Sequence, residues 1–196
     1  MLSLTLTPSP VGRGAQKKKN AADIRPALPA DAEAIACAHV ASWRTSYQGI
    51  VSDEILANLS VEERARNWQR QLEAPQPGCF VYVAEQDGNI LGFSSGGPER
   101  SGDLTYKGEV YALYLVKECQ RQGIGRMLVE ASVISLLANG VESMLIWVLR
   151  DNPSRQFYEA IGGVYVREQE IEIRGQKLVE VAYGWKNLRK LVKKHA

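Results

Sequence analysis

Six consecutive residues, Gln120-Arg121-Gln122-Gly123-Ile124-Gly125, have the types and spacing to hold an anion. They lie between an apolar run, Glu109 to Val116, and a stretch of helical periodicity from Gly125 to Ala138. A strand that passes through a glycine-containing turn into a helix presents several unpaired backbone N–H groups, with the positive end of the helix dipole behind them. Gly123 and Gly125 remove side chains that would keep a diphosphate away from the backbone, while Gln120, Arg121 and Arg126 add polar or cationic groups. A dinucleotide-binding turn needs a third glycine where this chain has Leu128, and the Gly-Lys-Ser/Thr ending of a nucleoside triphosphatase loop is absent. What remains is a pyrophosphate cradle or a plain strand–helix turn with two glycines. By itself the turn names no single cofactor.

The elements that must position this turn follow from the hydrophobic period. Ile24 to Ala27 reads as a short strand, and Asp31 opens an alanine-rich helical pattern running to about Trp43. Asp53 begins another helical stretch, and Ser60-Val61-Glu62-Glu63 is a capping box ahead of Arg64 to Leu72. After Pro75-Gln76-Pro77-Gly78 the period becomes two. Phe80 to Glu85 and Ile90 to Ser94 form a hairpin through Asp87-Gly88, and Glu109 to Val116, apolar on both faces, reads as a central strand. Met144 to Leu149 is the next strand, Ser154 to Ile161 a short helix, and Val164 to Ile173 pairs with Lys177 to Tyr183 across Arg174-Gly175. Residues 1 to 22 read as a disordered leader, 23 to 185 as one domain, and 186 to 196 as a basic helix or tail.

Composition excludes several classes. No apolar run approaches the roughly 20 residues of a membrane span, and Lys17-Lys18-Lys19 follows the first apolar stretch, the reverse of a secretory signal. Cytoplasmic residence is therefore expected. Three cysteines in no paired spacing and two histidines argue for reduced thiols and against a metal site. The net charge of +2 hides an acidic body: with the nine basic residues of the two ends set aside, 15 basic residues face 22 acidic ones. That balance favours a cationic or amine partner over nucleic acid. Lys186 to Lys194 is basic but lacks interleaved aromatic residues for stacking bases. A homodimer is the commonest assembly for such a chain.

From Ile24 to Tyr183 the order of elements resembles the GCN5-related N-acetyltransferase family, whose cofactor signature is matched by Gln120-x-x-Gly123-x-Gly125. Asn152-Pro153-Ser154-Arg155-Gln156-Phe157-Tyr158-Glu159-Ala160-Ile161-Gly162 is similar to the family's second cofactor segment. Gly163 stands where the family usually has Phe. Ser42-Trp43-Arg44-Thr45-Ser46-Tyr47-Gln48-Gly49 resembles the S-W-x-x-x-Y-x-G segment of one bacterial branch, which often has proline where this chain has Ser52.

The resemblance implies an α/β (α+β) fold with a mixed, mostly antiparallel sheet of six to seven strands flanked by about four helices. It implies acetyl-CoA as cofactor, held by Leu115, Val116, Gln120 to Arg126, Asn152 and Arg155, and an amine acceptor, a small molecule or peptide. Acetyl transfer needs a neutral amine, a stabilised oxyanion and a protonated leaving thiolate. Glu109, 14 residues before Gly123, stands at the spacing of the catalytic glutamate in a family subset and is the candidate base, or else a strand-end charge facing water. A backbone N–H near Leu115, where the family's central strand bulges, is implied for the oxyanion. Tyr158, with an ordinary phenol pKa of about 10, is the candidate acid, or else a core tyrosine. Trp43 and Tyr47, four residues apart, share a helix face and either line an amine pocket or pack in the core. His39 reads as structural, and Cys119 as an ordinary thiol. The rival reading is a catalytically idle acyl-CoA-binding module.

Overall fold

The computed structural model describes residues 20–192. Most of the expected leader and the last four residues of the basic tail lie outside the described residues. Seven strands form one sheet in the order β1-β2-β3-β4-β5-β7-β6, with β1 Asp23–Pro26, β2 Phe80–Gln86, β3 Asn89–Pro98, β4 Gly108–Leu115, β5 Met144–Leu149, β6 Val164–Ile173 and β7 Gln176–Trp185. Every neighbouring pair is antiparallel except β4 and β5, which are parallel. Their connection contains helix α4, Ile124–Ala138, and a parallel pair requires such a crossover.

Five α-helices are described: α1 Ala32–Ser46, α2 Asp53–Ala57, α3 Val61–Glu73, α4, and α5 Arg155–Ala160. The alternation of strand side chains divides them between two faces. Met144, Ile146 and Val148 of β5 point to the face where Val129, Val133 and Leu136 of α4 and Tyr158 of α5 pack. Leu149 points to the opposite face, where it meets Val40 of α1, Tyr47 just after that helix, and Leu56 of α2. Trp68 anchors α3 there against Val83 and Phe93. No helix among the described residues is long and apolar enough to cross a membrane.

Local details differ from expectation in instructive ways. A 3-10 turn, Pro29–Asp31, precedes α1, and Asp31 does not cap that helix. Its carboxylate instead accepts from Arg25 Nη1 at 2.7 Å and from the Leu28 amide at 2.7 Å. Helix α1 then runs on to Ser46, three residues beyond Trp43. Ser60 caps α3 by accepting from the Glu63 amide at 3.1 Å, but its hydroxyl donates to Glu62, so the reciprocal half of the capping box is not made by Glu63. Ser52, where the bacterial branch often has proline, is the N-cap of α2.

Two features of β4 shape the site. Pairing with β3 shifts register between Ser95 and Gly96, which oppose Ala112 and Val110, so the extra residue of the bulge is Tyr111. The expected bulge near Leu115 is thus four residues further upstream; Leu115 itself pairs regularly with Gly92. The ladder with β5 covers only Gly108↔Met144, Glu109↔Leu145 and Val110↔Ile146. Beyond it the facing edges of the two strands have no strand partner among the described residues.

Candidate active site

Where the β4–β5 ladder stops, a cleft of about 680 Å³ opens through the middle of the sheet. Tyr111 to Leu115 form one wall and Trp147 and Val148 the other, with the 120–126 turn at one end and Asn152 to Tyr158 along the side. β4 is hydrogen-bonded to β3 on one edge only over this length, so its other edge offers N–H and C=O groups at strand spacing. An extended ligand carrying amide groups pairs with such an edge as an added strand does.

The turn at the cleft's end has the geometry of an anion cradle. Gly123 is the N-cap of the 15-residue α4 and has φ +85°, a conformation that glycine takes without a steric penalty. Arg121 also lies in the left-handed region, at φ 62°, which for a residue with Cβ costs about 1–2 kcal/mol. Gln120 Nε2 donates to the Leu115 carbonyl at 3.2 Å and ties the turn to the end of β4. Gln122 Nε2 donates to the Glu118 carbonyl at 2.9 Å, and Ile124 is buried against Leu128 and Ala84. Gln120 and Gln122 therefore brace the turn, while Arg121 and Arg126 line the cleft as its cations. Val116 donates its amide to the Leu91 carbonyl at 2.9 Å, and neither it nor Arg155 lines the cleft.

Along the side, Asn152 is 4% exposed, and its Oδ1 accepts from the Ser154 amide at 2.9 Å, an Asx turn that fixes the start of α5. Its Nδ2 donates to no protein acceptor among the described residues, so the donor is available to the cleft that Asn152 lines. Tyr158 is likewise in the cleft wall, packed on Phe157 and Tyr183 with ring centroids 5.5 and 6.1 Å away. Burial, with the neighbouring Tyr114, raises its phenol well above the ordinary value, so the hydroxyl keeps its proton at neutral pH. Gly163, the departure from the family pattern, lies against Trp185: a Cβ there would sit 2.6 Å from the indole and 2.8 Å from the Tyr158 carbonyl oxygen. Trp185 fills the space that a side chain at 163 would need.

The acceptor-side residues are only partly brought together. Tyr47 lines the cleft, and its hydroxyl is 3.2 Å from that of Tyr114. Trp43 meets Tyr47 edge to face at 4.8 Å but stands behind it, with the Arg64 guanidinium 5.0 Å from its ring, and does not line the cleft. His39 is buried, stacked on Tyr114 at 4.7 Å, and burial together with the Arg64 charge lowers its pKa to about 3. Glu109 is buried but does not line the cleft. Its carboxylate accepts from the Arg100 amide at 3.3 Å and from Arg100 Nε at 3.2 Å, and forms an ion pair with Nη2 of the same residue. The guanidinium in turn lies 4.1 Å from the centre of the Tyr111 ring.

The sequence profile of the Acetyltransferase (GNAT) family matches residues 41–163, which include the cleft walls, the cradle and α5. The chain belongs to that family. It is 42% identical over 166 residues to the uncharacterized N-acetyltransferase YuaI of Bacillus subtilis, covering 84% of this chain and 93% of the relative. Among solved structures, yncA from Salmonella typhimurium, described with its cofactor acetyl-CoA, superposes with a TM-score of 0.65 at 22% identity, over 90% of this chain and 97% of that one. The PaiA N-acetyltransferase from Thermoplasma acidophilum in complex with coenzyme A gives 0.62 at 21%, over 83% and 98%.

For this acetyltransferase, sequence reasoning passed over two residues that line the cleft and two charged residues beside it. Tyr114 and Trp147 look like ordinary strand aromatics, yet both line the cleft. Arg100 sits in a connecting segment and nothing near it in sequence points to Glu109. Glu180 did leave a signal: a single carboxylate inside the apolar run Leu178-Val179-Glu180-Val181-Ala182, where an unexplained charge demands a reason.

Proposed function

We propose that the protein is an N-acetyltransferase that moves the acetyl group of acetyl-CoA to a primary amine of a small molecule or peptide by direct attack in a ternary complex. The observation that carries this reading is the unpartnered edge of β4 leading into the Gly123 cradle, one slot with an amide-binding end and an anion-binding end. Acetyl-CoA has that form: a pyrophosphate, then an arm with two amides, then a thioester. The 42% identical relative carries the name N-acetyltransferase, and two of the structural neighbours are complexes with acetyl-CoA or coenzyme A.

The bound thioester supplies an activated acetyl group; the chain supplies position and protons. Arg121 and Arg126 with the start of α4 hold the pyrophosphate, and the edge of β4 from Tyr111 to Leu115 together with Asn152 Nδ2 holds the arm. An N–H of that same edge polarises the thioester carbonyl. Tyr158 donates its phenolic proton to the departing sulfur. The acceptor approaches over Tyr47 and Tyr114, on the sheet face that also carries Glu109 and Glu180. Glu109 is held by Arg100, so to serve as base it must act with that guanidinium displaced or through water.

Free-thiol release from acetyl-CoA with a panel of primary amines tests the reading. Amine-dependent release is expected. Coenzyme A binding without release for any amine identifies an acyl-CoA-binding module instead.

A further inference from the structure

Two carboxylates stand on the acceptor face, and they differ in how their charge is met. Glu109 is neutralised by Arg100. Glu180, half-buried on β7, accepts one hydrogen bond from Gln169 Nε2 at 2.7 Å and has no arginine or lysine partner among the described residues. It lies directly opposite Leu149 in the β5–β7 ladder and, because Trp147 opposes Ala182, one diagonal step from Trp147 on the same face; Trp147 lines the cleft, and Glu180 stands next to that wall rather than in it. Burial dominates the Tyr47 and Tyr114 hydroxyls and the Glu109 hydrogen bond dominates Arg100, and the Glu180 charge adds a smaller effect to each.

We propose that Glu180 is the carboxylate that receives the acceptor's ammonium group and takes its proton, and that the acceptor is an organic cation whose ammonium adjoins a flat apolar body. The inference rests on the acetyl-transfer reading and names the base and acceptor class within it. Trp147, Tyr47 and Tyr114 line the cleft; the Arg167 guanidinium already lies 5.2 Å from the Trp147 ring centre and His39 is stacked on Tyr114, so the faces left to the cleft are the ones that favour a cation over a neutral or anionic group. Arg100 and Glu109 pair with each other, whereas Glu180 has no cationic partner among the described residues. Burial raises the Glu180 pKa, Gln169 opposes the rise, and the nearby Glu109 charge adds to it while Arg100 subtracts, which brings a carboxylate closer to the strength a general base needs at neutral pH.

The protons balance. The ammonium gives one proton to Glu180, and the free amine nitrogen forms a bond to the acetyl carbon. As the carbon–sulfur bond breaks, Tyr158 protonates the sulfur and is itself reprotonated by the second nitrogen proton. Glu180 returns its proton to water when the amide leaves, so each turnover releases one proton.

Glu180→Gln keeps the size and the Gln169 contact and removes only the charge. With phenethylamine, cadaverine, lysine and a glycyl-phenylalanine amide as acceptors, the parent is expected to favour phenethylamine over lysine, whose α-carboxylate meets Glu180. The variant is expected to lose about 10²-fold in kcat/KM for the amine at neutral pH. KM for acetyl-CoA should not change, and the deficit should shrink as pH rises toward the amine's own pKa, where the acceptor arrives already deprotonated. Unchanged kcat/KM in the variant overturns the inference and leaves acetyl transfer standing. So does a loss that is flat with pH, or one shared with acetyl-CoA binding or melting temperature, since those mark a structural role. A parent that neither binds nor acetylates any of the four amines overturns the acceptor reading and this inference together.

Discussion

β4 and β5 behave as two different structures along one pair of strands. Over Gly108 to Val110 and Met144 to Ile146 they are a closed ladder inside the core, with Met144 and Leu145 fully buried. Over Tyr111 to Leu115 and Trp147 to Val148 they part, and the space between them is the cleft. The change falls at the Tyr111 bulge, which breaks the register of β4 against β3 one residue after the last β5 pair. The closed half holds the sheet together; the open half leaves an edge of β4 with no strand paired to it among the described residues. Damage to the first should therefore show as lost stability, and damage to the second as lost turnover in a folded protein.

The largest expected effect tests the closed half. Met144→Ala removes a fully buried side chain from the core that joins α4 to β5 and should destabilise the protein by about 3 kcal/mol in urea unfolding. A loss below 1 kcal/mol would mean that this half is not the structural anchor. In the open half, Tyr158→Phe leaves the ring in place and strands no protein hydrogen-bond partner. Turnover should fall about 10²-fold, or ~2.7 kcal/mol of barrier, with stability and coenzyme A affinity nearly unchanged. Equal rates would remove Tyr158 from the acid role.

A third test reaches the floor beneath the open half. His39, under Tyr114, has its pKa lowered to about 3 by burial and the Arg64 charge, against an ordinary 6.5 when unfolded. The unfolded chain thus takes up a proton that the folded one refuses. His39 imposes no such penalty above pH 6.5, and the penalty grows as pH falls from there toward 3. His39→Gln should flatten the decline of the urea midpoint in that window relative to the parent; parallel declines would show that His39 is not buried neutral. The smallest effect is expected at the cradle. Arg121→Gly relieves a left-handed conformation and should change stability by no more than about 1 kcal/mol, because the relief is offset by the freedom glycine gains when unfolded. The same change should raise KM for acetyl-CoA several-fold, and an unaltered KM would take Arg121 out of the pyrophosphate site.

The strands and turns were far more legible in sequence than the site they frame. Met144 to Leu149 coincides with β5, and the Asp87-Gly88 turn and the Gly123 cradle lie where local pattern puts them, because period, turn chemistry and capping are properties of neighbouring residues. The site depends on contacts between distant segments. Arg100 reaches Glu109 from the β3–β4 connection, and the bulge at Tyr111 answers to β3 as much as to β4. Trp43 and Tyr47 meet edge to face as their spacing suggests, but only Tyr47 lines the cleft, which the spacing could not tell. Glu180 was visible as a charge out of place, yet its meaning came from β5 and α1, 30 or more residues away in the chain.

Gly163 and Trp185 occupy what is in effect a single volume beneath α5, and the two positions cannot both be large. The indole nitrogen donates to the Ile161 carbonyl at 3.2 Å, so the end of the last strand grips the end of the helix that bears Tyr158. A chain with phenylalanine at 163 would need a small residue at 185 and would hold that helix by its own loop. Here the sheet's final residue sets the helix's height, and with it the reach of the phenol into the cleft.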